Sequence, residues 1–519
     1  MTEPTGASES NAGDDFHINW SCLRAIDLIN PRKNLVQVKI EGLAEEDLQG
    51  SDPTLFLTAD LTEYFSGNSD LESISLPSVD RVVISQLKYS TRHATTEWTA
   101  ARLCEKKGTK IQRSVISRFA DSFLELSTKY GRDEVLKKLR VKLVSNQPIS
   151  SSLLALLKDA NDFLTKSNGS EVQYAQLKRK MTEDHLENLE RLKKATNKLK
   201  SSQFTDFLRV ICFEDCNAEN RISIRNTLAG KVSHNFIRPS DTDPALLNLI
   251  QQVSQQALPS HKPLSLSKES IFQAFGVHDD YALFPAPPLF EKVSNTITRS
   301  YSKKLADQII ANTSEKMTLA HGVAGIGKTT VLQSIHEHLP QDSEVILYDC
   351  YGRGDYRKSK EERHSHERAL QQLANEMSLK LGSDWLIKLP SRLEDLQRGF
   401  NQRLDMAASF LPNKDALLVI VIDAADNSIF ASKEAGSNCF VPTMWELDLP
   451  DNARLVMSAR TGARATSLQA LENTELFPIE GFAPQESEEH VKQFFPQASS
   501  QQCAEFHEQT YGVPSPHVA

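Results

Sequence analysis

The stretch VVISQLKYST, residues 82–91, opens with an apolar run of the kind that predicts a strand, yet it sets Gln86 and Lys88 two apart and so on one face. Two earlier segments, NLVQVKIEGL and TLFLTAD, also read as strands. Beyond Thr96 the pattern turns helical, through EWTAARLCEKK and SVISRFADSFLELSTKYG. Residues 175–202 hold helix formers without Gly or Pro and predict a solvated helix, in preference to a coiled coil or a nucleic-acid arm. FLRVICFED predicts another strand, and helices follow to about residue 275.

From about residue 296 the pattern changes. The segments KMTLAHG, EVILYDC, ALLVIVIDAAD and ARLVMSAR are apolar almost throughout and alternate with helices. Strands with no polar face predict a parallel sheet covered on both sides. Between the two regions, DDYALFPAPPLFEKV carries Pro285, Pro287 and Pro288, which cannot continue a helix. The expected organisation is a disordered start (1–15), an α/β domain (16–275), a Pro-rich linker (276–295), a nucleotide-binding core (296–480) and the start of a helical subdomain (481–519).

A length of 519 residues is consistent with two to four domains. The net charge of -9 excludes an overall basic coat, though not a local basic groove. The seven cysteines form no paired CxxC motif, which disfavours a zinc knuckle and suits reduced thiols in a cytosol. MTEPTGASESNAGDD is no signal peptide, and the longest apolar run, ALLVIVI, is far short of the roughly 20 residues of a membrane span. A soluble cytoplasmic protein with no membrane partner is expected.

GVAGIGKTT matches GxxxxGK(S/T), with a strand before it and a helix after it. Gly322, Gly325 and Gly327 let backbone N–H groups turn towards phosphates, Lys328 reaches the β- and γ-phosphates, and Thr329, followed by Thr330, offers a hydroxyl to Mg²⁺. The apolar strand LLVIVID ends in Asp423, placed to hold Mg²⁺ through water, and Asp426 stands where it could polarise an attacking water. ARLVMSAR ends in Arg460, which either senses the γ-phosphate or is a surface arginine.

The set GVAGIGKTT, VIDAAD, LVMSAR and YGVPSPHVA resembles the STAND class of P-loop NTPases, the NACHT and NB-ARC relatives. The resemblance covers residues 290–519. It implies ATP with Mg²⁺, Pro514 of a G-x-P motif against the adenine, slow turnover, and a switch that opens into a homo-oligomer. Asn427 departs from the second acid of many relatives. STAND proteins continue past G-x-P into a sensor, so a fragment of a longer protein is expected, its trigger (a phage protein, by the resemblance) sensed by the missing region.

Such proteins carry an effector before the NTPase. The strand-borne Gln86 and Lys88, with Asp60 about 26 residues earlier, resemble the Q-x-K branch of PD-(D/E)XK nucleases. The resemblance implies a restriction-endonuclease-like domain in which Asp60 and Gln86 hold Mg²⁺, Glu41 completes the shell and Lys88 activates water. Glu63 and Asp80 compete with Asp60 for the first acid. Lys88 could instead snorkel from an edge strand. Arg81, Arg92, Lys106, Lys107 and Lys110 could touch DNA phosphates or simply form a solvated face.

The expected function is a nucleotide-gated antiviral effector that cleaves DNA. The alternative is a switch whose first domain only binds protein or nucleic acid. A plain P-loop ATPase is disfavoured, since the LSGGQ signature of transporter subunits is missing.

Overall fold

The strand expected around Gln86 forms as Arg81–Lys88, the third of a six-stranded sheet. The computed structural model describes residues 6–51, 56, 58–68, 70–106, 114–167, 169–257, 265–290, 297, 299–358, 360–466, 468 and 474–514. Contacts divide the chain into two units: residues up to Ser233 with Ser240–Gly276, and His234–Pro239 with the residues from Val277 onward.

The strands of the first unit are β1 (Leu35–Ile40), β2 (Leu61–Phe65), β3 (Arg81–Lys88), β4 (Leu139–Ser145), β5 (Ile211–Cys212) and β6 (Ser265–Leu266), in the order β5-β4-β3-β2-β1-β6. The pairs β1–β2 and β2–β3 are antiparallel, while β3–β4 and β4–β5 are parallel. A parallel neighbour requires a crossover, and the helix Val115–Tyr130 lies within it. Ile116, Phe119, Phe123 and Leu126 make the buried stripe of that helix, Ser114 caps its start, and Gly131 ends it at φ 87°.

Four expectations need correction here. The strand runs Leu61–Phe65, so Asp60 precedes a strand rather than ending one, and Thr54, Leu55 and Leu57 of TLFLTAD lie outside the described residues. The polar start is helical from Gly6 to Ala25, because buried Phe16 and its neighbours one turn away on the same face, Ala12 and Trp20, anchor it. The charged stretch breaks into Tyr174–Lys178, Glu183–Ala195 and Ser201–Val210, each docked through buried leucines or phenylalanines such as Leu177, Leu189 and Phe204. FLRVICFED is helical up to Val210 and extended only at Ile211–Cys212.

In the second unit, β7 (Met317–Gly322), β8 (Glu344–Asp349), β9 (Leu418–Asp423), β10 (Ala453–Arg460) and β11 (Glu475–Pro478) form a wholly parallel sheet, ordered β11-β7-β10-β9-β8. Alternation on β9 shows why the strand is apolar throughout. Leu418, Ile420 and Ile422 join one core with the helices His366–Leu381 and Leu393–Ser409, while Val419 and Val421 join another with Ser300–Ala311 and Lys328–Ser334.

The Pro-rich segment is pinned along this unit. Ala286 is buried and donates its N–H to Gln372 (2.9 Å), Arg363 donates to the Pro287 carbonyl (2.9 Å), and the Leu289 N–H donates to Asp349 (3.0 Å). Two helices, Pro484–Phe494 and Ser500–Thr510, pack together near the end of the described chain. The seven cysteines are all free, and among the described residues no helix is long and apolar enough to cross a membrane.

Behind that helix pair, the Phe482 N–H donates to the Gly512 carbonyl (2.7 Å), and a Cβ on Gly481 would lie 2.6 Å from the Tyr511 carbonyl oxygen. Gly481→Ala is expected to cost about 1–3 kcal/mol. The check is a lower melting temperature together with faster hydrogen exchange at Phe482.

Candidate functional site

The loop after β7 needs its glycines for two separate reasons. Gly325 and Gly327 sit at φ 75° and 91°, where a side chain is strained. Gly322 has ordinary φ, but a Cβ there would meet the Ile479 carbonyl oxygen at 2.6 Å. The helix Lys328–Ser334 follows at once, so the loop delivers its N–H groups to a helix N-terminus. The Lys328 ammonium curls back onto the carbonyls of Gly322 and Val323, each at 3.0 Å, and burial lowers its pKa, with Asp423 and Asp426 opposing.

Asp423 is the junction of this site. One carboxylate oxygen accepts from the Thr329 hydroxyl (2.7 Å), and the other accepts from the Ser458 hydroxyl (2.5 Å). Ser458 in turn accepts from the Ala424 N–H (2.8 Å), where the chain turns through φ 54°. The end of β9 is thereby tied to β10 and to the helix that follows the phosphate loop. Burial pushes the Asp423 carboxyl above its ordinary pKa, and the two hydroxyl donors pull it back. A threonine hydroxyl on a carboxylate is an all-oxygen donor pair that fits Mg²⁺.

A cavity of about 440 Å³ opens beside this junction, lined among others by Gly325, Lys328, Thr329, Thr330, Asp423, Asp426 and Arg460. Gly322 and Gly327 shape its loop without lining it, and Pro514 is not among the lining residues. Asp426 is buried and accepts from Arg464 at 3.0 Å, so its carboxylate is oriented by an arginine that sequence reasoning passed over. Arg353, Leu289 and Phe290 form part of the wall, with the Arg353 side chain donating to the Leu289 carbonyl (2.9 Å).

A second grouping lies at the end of β3. Leu61 pairs with Ser85, which brings Asp60 level with Gln86, and one Asp60 oxygen accepts from the Leu87 N–H (2.7 Å). Glu41 follows β1 at φ 50° and donates its N–H to the Asp60 carbonyl (3.1 Å). Burial raises the pKa of both carboxyls; Lys88, His17 and Arg118 oppose this at Asp60, whereas Asp60 and Asp14 add to it at Glu41. Glu63 is occupied elsewhere, held by Arg24 at 2.7 Å, and Asp80 sits at the opposite end of β3 on the Gly67 N–H.

Two residues join this grouping without having been foreseen. His17 reaches the Leu87 carbonyl (3.0 Å) from the first helix. Arg118, on the crossover helix, sets two guanidinium nitrogens 3.1 and 3.2 Å from one end of the Gln86 amide, which is assigned as the oxygen because the amide nitrogen would set donor against donor. As arranged, the grouping does not fit a metal ion. Gln86 is fully buried with its oxygen on a cation, one Asp60 oxygen is taken, and among the described residues no three His, Cys, Asp or Glu side chains gather at metal distance. Of the basic residues that could have met DNA, Arg81 stacks on Phe65 (4.1 Å), and Lys107 and Lys110 lie outside the described residues.

The buried Asp423 carboxyl has a predictable pH signature. A carboxyl whose folded pKa is raised binds its proton more tightly in the native state, so stability is lost as pH rises from its ordinary value through the raised one. Asp423→Asn is therefore expected to raise the melting temperature of nucleotide-free protein at neutral pH, with the gain shrinking towards acid pH. Melting curves across pH 4–8 check it.

The sequence pattern of the AAA domain family matches residues 311–455. No curated protein matches the chain. Among solved structures, the chain is similar to the Walker-type ATPase of Pyrococcus abyssi (14% identity, TM-score 0.30, 42% of this chain and 65% of that one). It is also similar to the Cap4 SAVED/CARF-domain containing receptor of Moraxella osloensis (10% identity, TM-score 0.28, 81% of this chain and 67% of that one). A third is the Orc1 protein of Aeropyrum pernix, solved in complex with DNA (14% identity, TM-score 0.24, 42% and 53%). The chain thus spans less than two thirds of the Pyrococcus and Aeropyrum proteins. With the loop, the Thr329–Asp423 pair and the match over residues 311–455 together, this chain contains a P-loop NTPase domain.

Proposed function

We propose that the chain is a nucleotide-gated defence effector of the STAND class, in which ATP binding and hydrolysis govern self-association and DNA cleavage by the first unit. The observation that carries the cleavage half is the meeting of Asp60, Gln86 and Lys88 where an antiparallel hairpin joins the parallel strand β4. That strand order supports a restriction-endonuclease-like core. The NTPase half rests on the cavity around Lys328 and Asp423.

The chain's own groups divide the work of hydrolysis. Loop N–H groups and Lys328 bind and orient the phosphates, and Arg460 meets charge that builds on the γ-phosphate. Asp426, held by Arg464, orients the attacking water. Thr329 and Asp423 would hold Mg²⁺, which would supply charge neutralisation at the phosphate oxygens. Self-association suits the first unit, because cutting both strands of DNA takes two active sites. A trigger sensed outside these units would complete the switch.

A second reading, that the first unit binds DNA or protein without cutting, is favoured by the buried state of Gln86 and its contact with Arg118. Plasmid incubated with the full chain, ATP and Mg²⁺ or Mn²⁺ separates the two. Nicking by wild type and its loss in Lys88→Ala supports the nuclease; intact plasmid under every condition favours the binding module.

The NTPase half has its own test. Lys328→Ala is expected to weaken ATP binding by about 100-fold or more, from the loss of charge-assisted phosphate contacts. Arg460→Ala is expected to leave affinity nearly unchanged and slow hydrolysis about 100-fold. Equilibrium binding and single-turnover hydrolysis read these separately.

A further inference from the structure

We propose that Arg353 reads the γ-phosphate of a bound nucleoside triphosphate. In turning to it, the side chain lets go of Leu289 and Phe290, so triphosphate and diphosphate leave that wall of the cavity in different states. The inference rests on the nucleotide reading of the cavity and owes nothing to DNA cleavage by the first unit.

The turn after β8 is built around one carboxylate. Asp349 is buried; one of its oxygens accepts from the N–H groups of Tyr351 and Gly352 (2.9 Å each), and the other from the Leu289 N–H (3.0 Å). Asp349 thus ties the turn to the Pro-rich segment, and it stands in register with Asp423 on β9. The turn sets Arg353 at φ 53°, between Gly352 at 52° and Gly354 at 91°. Few residues other than glycine and asparagine adopt that conformation readily, so the outlier marks a place where the fold holds a side chain in position. From there the exposed guanidinium lines the cavity and donates to the carbonyls of Leu289 (2.9 Å) and Phe290 (3.4 Å).

Both acceptors are neutral backbone carbonyls. A phosphate oxygen carries charge, and a charge-assisted bond is about twice as strong as a neutral one. The sheet order decides which phosphate Arg353 meets. β8 lies three strand spacings from β7, about 14 Å, whereas the phosphate loop follows β7 directly. The α- and β-phosphates stay with that loop, and only the outermost phosphate extends towards β9 and β8. A diphosphate therefore leaves Arg353 on its carbonyls. A triphosphate draws it off, and Leu289 keeps its bond to Asp349 while losing the clamp on its carbonyl. Arg353 is by this account a specificity-determining residue for the triphosphate, distinct from Arg460, which meets charge that builds during transfer.

The test compares ADP with ATPγS, a slowly hydrolysed triphosphate, on the full chain with Mg²⁺ by calorimetry. Arg353→Gln should weaken ATPγS at least about tenfold and leave ADP within about twofold. Hydrogen exchange gives the second readout. In wild type, ATPγS should speed exchange at Leu289 and Phe290 relative to ADP; in Arg353→Gln the two nucleotides should give the same rate. Equal losses for both nucleotides, or no loss for ATPγS, overturn the proposal, as does equal exchange with both nucleotides in wild type. A pin that only shapes the wall would give one of those results. If Arg353→Gln does not fold, Arg353→Asn, suited to φ 53°, is read by the same criteria, and the wild-type exchange decides if neither folds. Lys328→Ala reports the nucleotide reading itself. Both nucleotides weakened by Lys328→Ala, with Arg353→Gln like wild type, would keep that reading and defeat this inference. Wild type that binds neither nucleotide would defeat both.

Discussion

The Asp423 carboxylate is the constraint on which the nucleotide site depends. It lies at the end of a strand buried on both faces, so it has little access to water and must be satisfied by what the fold brings to it. Thr329, from the helix after the phosphate loop, and Ser458, from β10, meet that need, and Ala424 beside the junction turns through positive φ. A buried charge held this way trades stability for position, which is the usual bargain at reactive sites.

The first unit solves a related problem differently. Its grouping of acids and bases lies where strand direction changes, with the Glu41 N–H on the Asp60 carbonyl and the Leu87 N–H on the Asp60 carboxylate. The side chains then balance charge among themselves. Burial and then neighbouring acids push the Glu41 pKa upward, and Lys88, His17 and Arg118 counter the burial of Asp60. A site so balanced is sensitive to any newly arriving charge, whether phosphate or metal.

How much of this was legible in the sequence differs between the units. The apolar strands of the second unit announce themselves because both faces are covered, and β7 to β10 lie within the segments read from the chain. β11 went unseen because three of its four residues are exposed and leave no apolar pattern. Phe16 and Trp20 were overshadowed by the acidic residues before them. Ile211–Cys212 is too short to show a period, and the helix before it carries its own apolar face. Contacts such as His17 to Leu87 join residues 70 apart, and no local spacing reports such a pairing.

Arg299 shows what a single side chain fixes in the second unit. It is 3% exposed, donates to the Ile326 carbonyl in the phosphate loop (2.7 Å) and, through its other nitrogen, to the carbonyls of Glu480 (2.7 Å) and Gly481 (3.3 Å), with its plane near the rings of Tyr301 and Phe482. Every acceptor is neutral, and the rings need a flat cation rather than a compact one. Lysine conserves the charge but has one nitrogen and no plane, so it could span neither the carbonyls nor the rings. At this position the chemistry of arginine is the shape of the joint, and its replacement by the other basic residue would be an uncoupling rather than a conservative change.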